Sequence, residues 1–356
     1  MTKDSESSFR PIFIVGNSRS GTTLMAQILR KHQDIFVFHE LHFFENLWTP
    51  ADACEVIPPS KGVSLCARLL SIQDEGYRSR HNSNRHIDKA RSIVSTIDAK
   101  KLTAVAVYRA FMEYVTLSTG RIFAAEQTPR NVFYIGEILG LFPSARIINM
   151  IRDPRDVLAS QKKKWRRHAW RKDFGSRRES LRLCINYHPI TTSKLWHASI
   201  QAAEHFADDS RVLFLRFEDL IFQPEKMLQK VCDFLGVRLS KRMMSVRKLA
   251  SSFDFRHMNQ HGFDHETVGR WKSALLASEL FYCQKINGNK MQRYGYSPSD
   301  VSPGMLSLIV PPITFPIKLG VAFLLNWRRY AMVSSAIRRR LCVASQTDGR
   351  AVGETI

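Results

Sequence analysis

The segment Ile12–Thr23, IFIVGNSRSGTT, decides the fold that this sequence predicts. Four apolar residues, 12–15, indicate a short buried strand, and the helical pattern TLMAQIL follows the Gly/Ser/Thr loop. A glycine loop between a strand and the start of a helix presents backbone N–H groups and the positive end of the helix dipole to an anion. The segment therefore predicts a phosphate-binding loop at the end of a strand in an α/β fold.

This loop differs from the loop that binds nucleoside triphosphates. Four residues separate Gly16 from Gly21, but Thr22 stands where the triphosphate loop has a lysine. The cation lies inside the loop instead, as Arg19. We therefore expect a phosphate site that does not support ATP or GTP chemistry, and a plain glycine turn is the alternative. The residues expected to bind are Arg19, Ser20, Gly21, Thr22 and Thr23.

A second candidate anion site follows the apolar segment RIINMI. Arg152 stands directly after this segment, at a strand end where a kinase-like fold would have an acid to hold Mg²⁺. Ser160 lies eight positions further on, and a helix over 154–166 would place its hydroxyl on the same side as Arg152. An arginine and a hydroxyl together suit a phosphate monoester. The alternative is a salt bridge from Arg152 to Asp153 or Asp156.

Two phosphate sites without the triphosphate lysine resemble those of the sulfotransferases that use 3′-phosphoadenosine 5′-phosphosulfate (PAPS). RSGTT, from Arg19 to Thr23, resembles the 5′-phosphosulfate loop of that family. RDPRDVLAS, which contains Arg152 and Ser160, resembles its 3′-phosphate motif. The resemblance covers roughly residues 9–297. Three weaker similar segments are RFEDL at 216–220, VGRWK at 268–272 and YGY at 294–296.

The resemblance implies PAPS as the donor and transfer of its sulfuryl group to an acceptor hydroxyl, without a metal. It is closer to the Golgi-type, tyrosylprotein and bacterial branch than to the cytosolic small-molecule branch. The segment VGRWK is similar to the one that closes over the nucleotide in the family. It therefore implies further nucleotide contacts from Gly269, Arg270 and Lys272.

The candidate general base is Glu40, which follows the second predicted strand, IFVF. Ligands of open α/β sheets bind at the carboxyl ends of the strands, so this carboxylate is expected near the loop. The resemblance implies that Glu40 takes the proton from the acceptor hydroxyl while Arg19 stabilises the transferring group. His42 and His39 are alternative bases, and a structural role for Glu40 is the other alternative. Relatives often have a lysine where this chain has Gln127.

The order of elements predicts the fold class. Short apolar strands alternate with helices, which favours a three-layer α/β sandwich with a central, mostly parallel sheet and helices on both faces. Residues 50–85, which contain Pro58, Pro59 and scattered glycines, are expected to be irregular. We expect a loose tail over 1–8 and one domain over 9–297.

The charge of the chain, +21, implies an anionic partner. Seven lysines and arginines, one histidine and no acid occupy 162–172, KKKWRRHAWRK, which is either a solvated helix face or part of a site for an anionic acceptor. The sequence has no RNA-binding consensus and no CxxC pair, so we expect neither nucleic acid nor zinc as a ligand. A P-loop kinase or nucleotidase and an RNA- or polyanion-binding module are the alternatives to an enzyme that uses PAPS. The acceptor is expected to be a glycan, a lipid or a peptide, with a carbohydrate or lipid hydroxyl favoured.

The C-terminal segment 298–356 has a different composition from the rest of the chain. Residues 305–327 are largely apolar and contain three prolines, which are expected to interrupt any helix. Five arginines follow at 328–340. This pattern fits a helix packed on the domain or on a partner, an anchor at a membrane surface, or a membrane span. No secretory signal is recognised, so we expect the protein in the cytoplasm or at a membrane periphery.

Overall fold

The computed structural model describes residues 9–77, 83–164, 182–246 and 261–345. The tail expected over 1–8 and most of the basic segment 162–172 lie outside these residues. Side chains from residue 326 onward are not described either, so the arginines of 328–340 are known here by their sequence positions.

A five-stranded parallel sheet forms the centre of the molecule. The strand order is β2-β3-β1-β4-β5, and every neighbouring pair is parallel. The central strand β1 therefore has β3 on one side and β4 on the other, and its Ile12 lies opposite both Ala125 and Arg146. The predicted parallel sheet is confirmed. The strands are β1 Ile12–Gly16, β2 Ile35–Val37, β3 Phe123–Glu126, β4 Arg146–Ile151 and β5 Val212–Arg216.

Helices connect the strands and cover the sheet. The predicted helix start at Pro154 is confirmed, and another helix begins at Pro189; at both places proline lacks only an N–H that the first turn leaves unpaired. The α-helices are α1 Thr22–Leu29, α2 Pro59–Glu75, α3 Ile87–Val94, α4 Ala104–Ser118, α5 Ile135–Leu141, α6 Pro154–Lys162, α7 Pro189–Glu204, α8 Phe217–Phe222, α9 Pro224–Leu235, α10 Trp271–Ala274, α11 Ala277–Arg293 and α12 Met305–Ser345. Shorter 3₁₀ turns are Pro50–Ala53, Ser83–His86, Ala99–Lys101, Pro129–Tyr134, Lys241–Met244 and His265–Thr267, and Phe43–Leu47 is a π-helical turn.

The two faces of the sheet belong to two separate hydrophobic cores. Side chains alternate along a strand, so Phe13 and Val15 of β1 pack with residues of α2 to α5. Ile12 and Ile14 point to the other face and pack with residues of α1, α8 and α9. This arrangement confirms the predicted three-layer sandwich.

The expectation that 50–85 is irregular is wrong, because α2 occupies Pro59–Glu75. The prolines that suggested a loop mark the start of the helix instead, with Pro59 in its first turn. Buried residues then recur with helical spacing, including Cys66, Leu69 and Leu70. Gly62 allows close packing, since a Cβ there would lie 3.4 Å from Val94.

The expectation that prolines interrupt the C-terminal apolar segment is also wrong. Helix α12 is continuous from Met305 to Ser345 and contains Pro311, Pro312 and Pro316. Pro312 cannot donate an N–H to the Leu308 carbonyl one turn earlier. The hydroxyl of Tyr282, on α11, donates to that carbonyl at 2.8 Å. A tertiary contact therefore replaces one helical hydrogen bond that proline removes.

Candidate functional site

The carboxyl ends of the five strands meet at one edge of the sheet, and the predicted site residues follow these ends. The phosphate loop begins at Gly16, the last residue of β1. Gln127 and Arg152 directly follow β3 and β4, and Glu40 comes shortly after β2. The sheet therefore gathers residues that are more than a hundred positions apart in the sequence.

The phosphate loop has a backbone that demands glycine at two positions. Gly16 has a φ of 141°, and a Cβ there would lie 2.3 Å from the Met150 carbonyl oxygen. Gly21 has a φ of 94°, and a Cβ there would lie 2.4 Å from the Phe217 ring. Because backbone at Gly16 and a buried ring at Gly21 leave no room for a side chain, the two glycines are required for this loop.

The structure brings the two predicted phosphate sites into direct contact. Arg19 Nε donates a hydrogen bond to Ser160 Oγ at 2.9 Å. Arg152 Nη1 donates to the backbone carbonyl of Arg19 at 3.2 Å. Arg19 itself has a left-handed φ of 76°, which is unusual for a residue other than glycine. Arg19 therefore connects the loop to both residues of the second predicted site.

Arg152 is held by a carbonyl and an aromatic ring and makes no salt bridge with its neighbouring aspartates. Its guanidinium lies 4.3 Å from the centre of the Phe217 ring, and Nη2 donates to the Thr267 carbonyl at 2.6 Å. Burial lowers the pKa of Arg152. The salt bridge with Asp153 is made by Arg155, at 2.7 Å. The salt bridge from Arg152 to Asp153 or Asp156, which the sequence left open as an alternative, is therefore not formed.

Two polar atoms at this place are buried without a hydrogen-bond partner among the described residues. One is Ser20 Oγ in the loop, and the other is Arg152 Nε. Buried donors of this kind are costly unless a ligand or water satisfies them. Together with the N-terminus of α1, they form a set of donors that suits an anion.

The segment VGRWK lies against α6 and is held there by one carboxylate. Asp156 accepts the Gly269 N–H at 2.8 Å and the Trp271 N–H at 3.0 Å. The side chain of Arg270 lies 3.4 Å from an Asp264 carboxylate oxygen within its own turn. Lys272 lies beside the Trp271 ring, on a cavity of about 500 Å³. The segment is thereby attached to α6, and Arg152 Nη2 donates to the carbonyl of Thr267, directly before it.

A buried carboxylate that the sequence analysis missed connects β4, β5 and the YGY segment. Glu218 accepts the Asp153 N–H at 3.0 Å and the Tyr296 hydroxyl at 2.8 Å. Burial raises the pKa of Glu218. Glu218 lies in RFEDL and Tyr296 in YGY, which were both weak signals. Neither segment predicts by itself that these two residues are in contact. Glu218 fixes the backbone directly after Arg152.

On the other side of the loop, two carboxylates flank one histidine. His42 Nε2 lies 3.3 Å from Glu40 Oε2, and His42 Nδ1 lies 3.1 Å from Glu45 Oε2. Burial opposes the charged ring, but the hydrogen bonds to both carboxylates outweigh it and raise the pKa of His42 to about 9. The ring is therefore protonated at neutral pH. Glu45 is also paired with Arg130 at 2.6 Å, a contact that the sequence analysis missed.

Glu40 remains ionised and partly open to solvent. Its side chain is 45% exposed. Partial burial opposes its charge, but the hydrogen bond from His42 and weaker contributions from Gln127 and Arg130 hold the pKa of Glu40 below its ordinary value. His39, the other candidate base, has its pKa lowered by burial. Glu40 is thus a carboxylate that is charged at neutral pH and lies beside a charged imidazole.

Gln127 joins the carboxylate side of the site to the phosphate loop. Its amide Nε2 lies 3.2 Å from Thr22 Oγ1 and 3.4 Å from Glu40 Oε1. The side chain is buried, so the amide has a fixed position between these two groups. A lysine here would add a positive charge, whereas Gln127 supplies only hydrogen bonds.

A second buried carboxylate lies behind Gln127. Glu126 accepts hydrogen bonds from the Thr128 hydroxyl and from Asn131 Nδ2, the latter at 2.7 Å. Burial raises the pKa of Glu126 to about 7. The sequence analysis did not single out Glu126, although a charged residue at the end of the apolar segment FAAE was a signal. Among the described residues, no group of three or more His, Cys, Asp or Glu side chains is placed to hold a metal ion.

Comparisons with known proteins extend the resemblance. The Nodulation protein NoeE of Sinorhizobium fredii is 23% identical over 291 residues, which are 75% of this chain and 61% of that protein. Carbohydrate sulfotransferase 1 of Mus musculus is 23% identical over 274 residues, 65% of each chain. The chain therefore spans less than two thirds of the length of either relative. The sulfotransferase domain from the curacin biosynthetic pathway superposes with a TM-score of 0.46 at 18% identity, covering 79% of this chain and 97% of that domain.

A family model gives the decisive match. The model described as Sulfotransferase family matches residues 11–241, which include the phosphate loop, Arg152 and Ser160. The matched residues also include all five strands of the sheet. The resemblance first read from RSGTT and RDPRDVLAS is thereby confirmed, and the chain belongs to the sulfotransferase family.

Proposed function

We propose that this protein transfers a sulfuryl group from PAPS to a hydroxyl group of a carbohydrate or lipid acceptor. One observation carries the proposal. The two predicted phosphate-binding elements meet at one sheet edge through the Arg19–Ser160 hydrogen bond of 2.9 Å, and Gln127 connects Glu40 to the same loop. The family and its relatives support the reaction class, and a carbohydrate sulfotransferase among the relatives supports a sugar hydroxyl as one acceptor class.

The described residues fit a nucleotide with two phosphate groups. Ser20, Gly21, Thr22 and Thr23 surround the N-terminus of α1 and would hold the 5′-phosphate. Arg152 and Ser160 would hold the 3′-phosphate. The buried atoms Ser20 Oγ and Arg152 Nε, which lack protein partners, fit this assignment because each could donate to a phosphate oxygen. Arg19 would lie between the 5′- and 3′-phosphates, since it belongs to the loop and bonds to Ser160.

In this scheme PAPS supplies the sulfuryl group and leaves as adenosine 3′,5′-bisphosphate. The acceptor oxygen forms the new bond to sulfur as the bond from sulfur to the 5′-phosphate oxygen breaks. Glu40 takes the proton of the acceptor hydroxyl, since its carboxylate is ionised and partly exposed. His42 is a poor alternative base because its ring already carries a proton at neutral pH.

Groups that are already in place would stabilise the negative charge that develops on the leaving phosphate. Arg19 and the N–H groups at the start of α1 belong to the same loop, and a preorganised donor of this kind contributes about 3–4 kcal/mol to transition-state stability. Thr22 is connected to Glu40 through Gln127, which keeps the base beside the transferring group.

The experiment that tests the proposal is a calorimetric and thermal-shift comparison of three ligands: adenosine 3′,5′-bisphosphate, ATP with Mg²⁺, and an RNA oligomer. We expect strong stabilisation by the bisphosphate alone, since only this ligand carries phosphate monoesters at both the 3′ and the 5′ position of one ribose. Stabilisation by ATP with Mg²⁺ alone would identify a kinase-like protein instead. A response to RNA alone would identify a binding module.

A second experiment identifies the acceptor. Purified protein and ³⁵S-labelled PAPS are incubated with separate glycan, lipid and peptide fractions of a cell extract. Label in the glycan or lipid fraction supports the proposed acceptor class, whereas label in the peptide fraction alone contradicts it.

A further inference from the structure

Helix α12 carries a large exposed apolar surface. By length and composition, its segment Met305–Leu325 is the one helix among the described residues that could cross a membrane. Leu306 is 83% exposed, Ile313 58% and Leu324 71%. The other exposed members of this surface, which we call the apolar face, are Met305, Ile309, Val310, Ile317, Leu319, Val321 and Leu325. Such a contiguous surface marks an interaction site in a soluble domain.

The opposite face of the same helix is attached to the catalytic domain. Tyr282 donates to the Leu308 carbonyl, and His188 lies 3.3 Å from Thr314 Oγ1. One turn further along, Lys318 Nζ donates to the Tyr187 carbonyl at 3.4 Å. Leu308, Pro311, Thr314 and Lys318 follow one another at intervals of three or four residues and are buried or partly buried, so α12 presents one face to α7 and α11 and the other outward. A helix fixed in this way has lipid access on one side only, which argues against a span.

The sequence of α12 indicates what covers its apolar face. The helix contains no acidic residue, and the apolar segment is followed by Trp327 and then by five arginines at 328–340. Arginines and an aromatic residue beside an apolar face are typical of helices that lie at the surface of an anionic bilayer. A second copy of this chain paired in parallel is a poorer occupant, because such pairing would bring two sets of five arginines together.

We propose that the apolar face of α12 inserts into the interfacial region of an anionic lipid leaflet, with the helix lying in the plane of the membrane. The catalytic domain then lies above the leaflet, because α7 and α11 attach it to the other face of α12. Helix α12 also contacts the π-helical turn Phe43–Leu47, which follows Glu40 and His42. On the proposed function, this contact brings the acceptor side of the site close to the membrane, where a lipid-borne hydroxyl would be available.

Flotation of the full-length protein with preformed vesicles tests the proposal without any activity measurement. The protein should bind vesicles that contain phosphatidylglycerol and bind weakly to pure phosphatidylcholine. The double variant Ile313→Glu, Leu324→Glu should reduce binding by at least about tenfold, since it places two charges in the apolar interface. Both residues are exposed, so the variant should keep the thermal stability of the parent protein.

The matched control is Leu117→Glu, which changes an equally exposed leucine at the end of α4. It should bind vesicles like the unmodified protein. The proposal is wrong if the unmodified protein does not float with anionic vesicles, or if the double variant binds as well as the control. It is also wrong if the protein forms dimers that the double variant abolishes, because the apolar face would then be covered by a second copy. Failure of sulfuryl transfer would leave this binding result unchanged.

Discussion

The two sides of the candidate site concentrate opposite charges around the same loop. The side where we propose that the nucleotide binds, called the nucleotide side, offers Arg19, Arg152 and backbone N–H groups, with Ser160 as a further donor. The side where we propose that the acceptor binds, called the acceptor side, offers Glu40 and Glu45, which share one protonated histidine. Gln127, a neutral amide, lies between the sides and bonds to both. The difference matches the two needs of group transfer, which are stabilisation of a leaving anion and removal of a proton.

The largest effect is expected on the acceptor side. Glu40→Gln keeps the shape of the side chain but removes the proton acceptor, so turnover should fall by about 10²–10⁴-fold. Affinity for adenosine 3′,5′-bisphosphate should stay unchanged, because Glu40 bonds to His42 and Gln127 rather than to the predicted phosphate-binding residues. Steady-state kinetics with ³⁵S-labelled PAPS and calorimetry measure both. The control is Glu75→Gln, an exposed glutamate at the end of α2, and near-normal turnover of Glu40→Gln would remove Glu40 from this role.

A pH-dependent effect on stability should follow from His42. Its folded-state pKa of about 9 lies above the ordinary value of 6.5. The charged ring therefore contributes stability that is complete below about pH 6.5 and is lost as the pH rises through about 9. The shift corresponds to at most about 3 kcal/mol. Denaturant unfolding should show that His42→Gln is less stable than the parent protein at about pH 6 and that the gap shrinks at about pH 10.

The exposed His205 supplies the control for this measurement. His205→Gln should show no such pH-dependent gap, since no carboxylate pair flanks it in the described structure as Glu40 and Glu45 flank His42. If the free energy of unfolding of His42→Gln differs from that of the parent protein by the same amount at both pH values, the His42 ring is not held in its charged form.

A smaller and more selective effect is expected on the nucleotide side. Ser160→Ala removes one hydroxyl donor and the partner of Arg19, so affinity for adenosine 3′,5′-bisphosphate should fall about tenfold. Affinity for adenosine 5′-monophosphate, which lacks the 3′-phosphate, should change little. Calorimetry with both nucleotides measures the difference, with Ser64→Ala on the exposed side of α2 as the control. Equal losses for both nucleotides would place Ser160 outside the 3′-phosphate site.

The smallest effect is expected at the junction of the two sides. Gln127→Ala removes the amide that connects Thr22 to Glu40, and a net loss of about 1 kcal/mol predicts a fall in turnover of up to about tenfold. The fall should appear in kcat, with little change in nucleotide affinity. A larger loss of nucleotide affinity than of kcat would show that Gln127 serves the loop and not the base.

The sequence by itself determined the layers and the phosphate loop. The continuous apolar segment 12–15 predicted a strand of a sheet covered on both faces, because side chains alternate along a strand and Phe13 and Ile14 then point to opposite faces. The spacing of Gly16 and Gly21 predicted the loop for the same local reason, since only glycine allows that backbone. Arg152 and Ser160 were found because a strand end and a helix start fix their positions within one short segment.

Only the tertiary structure decided which of these residues meet and how they are charged. The contact of Arg19 with Ser160 joins residues 141 positions apart, and no local pattern encodes it. The protonated state of His42 depends on Glu40 and Glu45 converging on one ring, because burial alone would favour the neutral form. Likewise, Tyr282 on another helix donates to the Leu308 carbonyl, which Pro312 leaves without its partner within α12. These three features depend on contacts between residues that are distant in the sequence, and local sequence patterns do not predict such contacts.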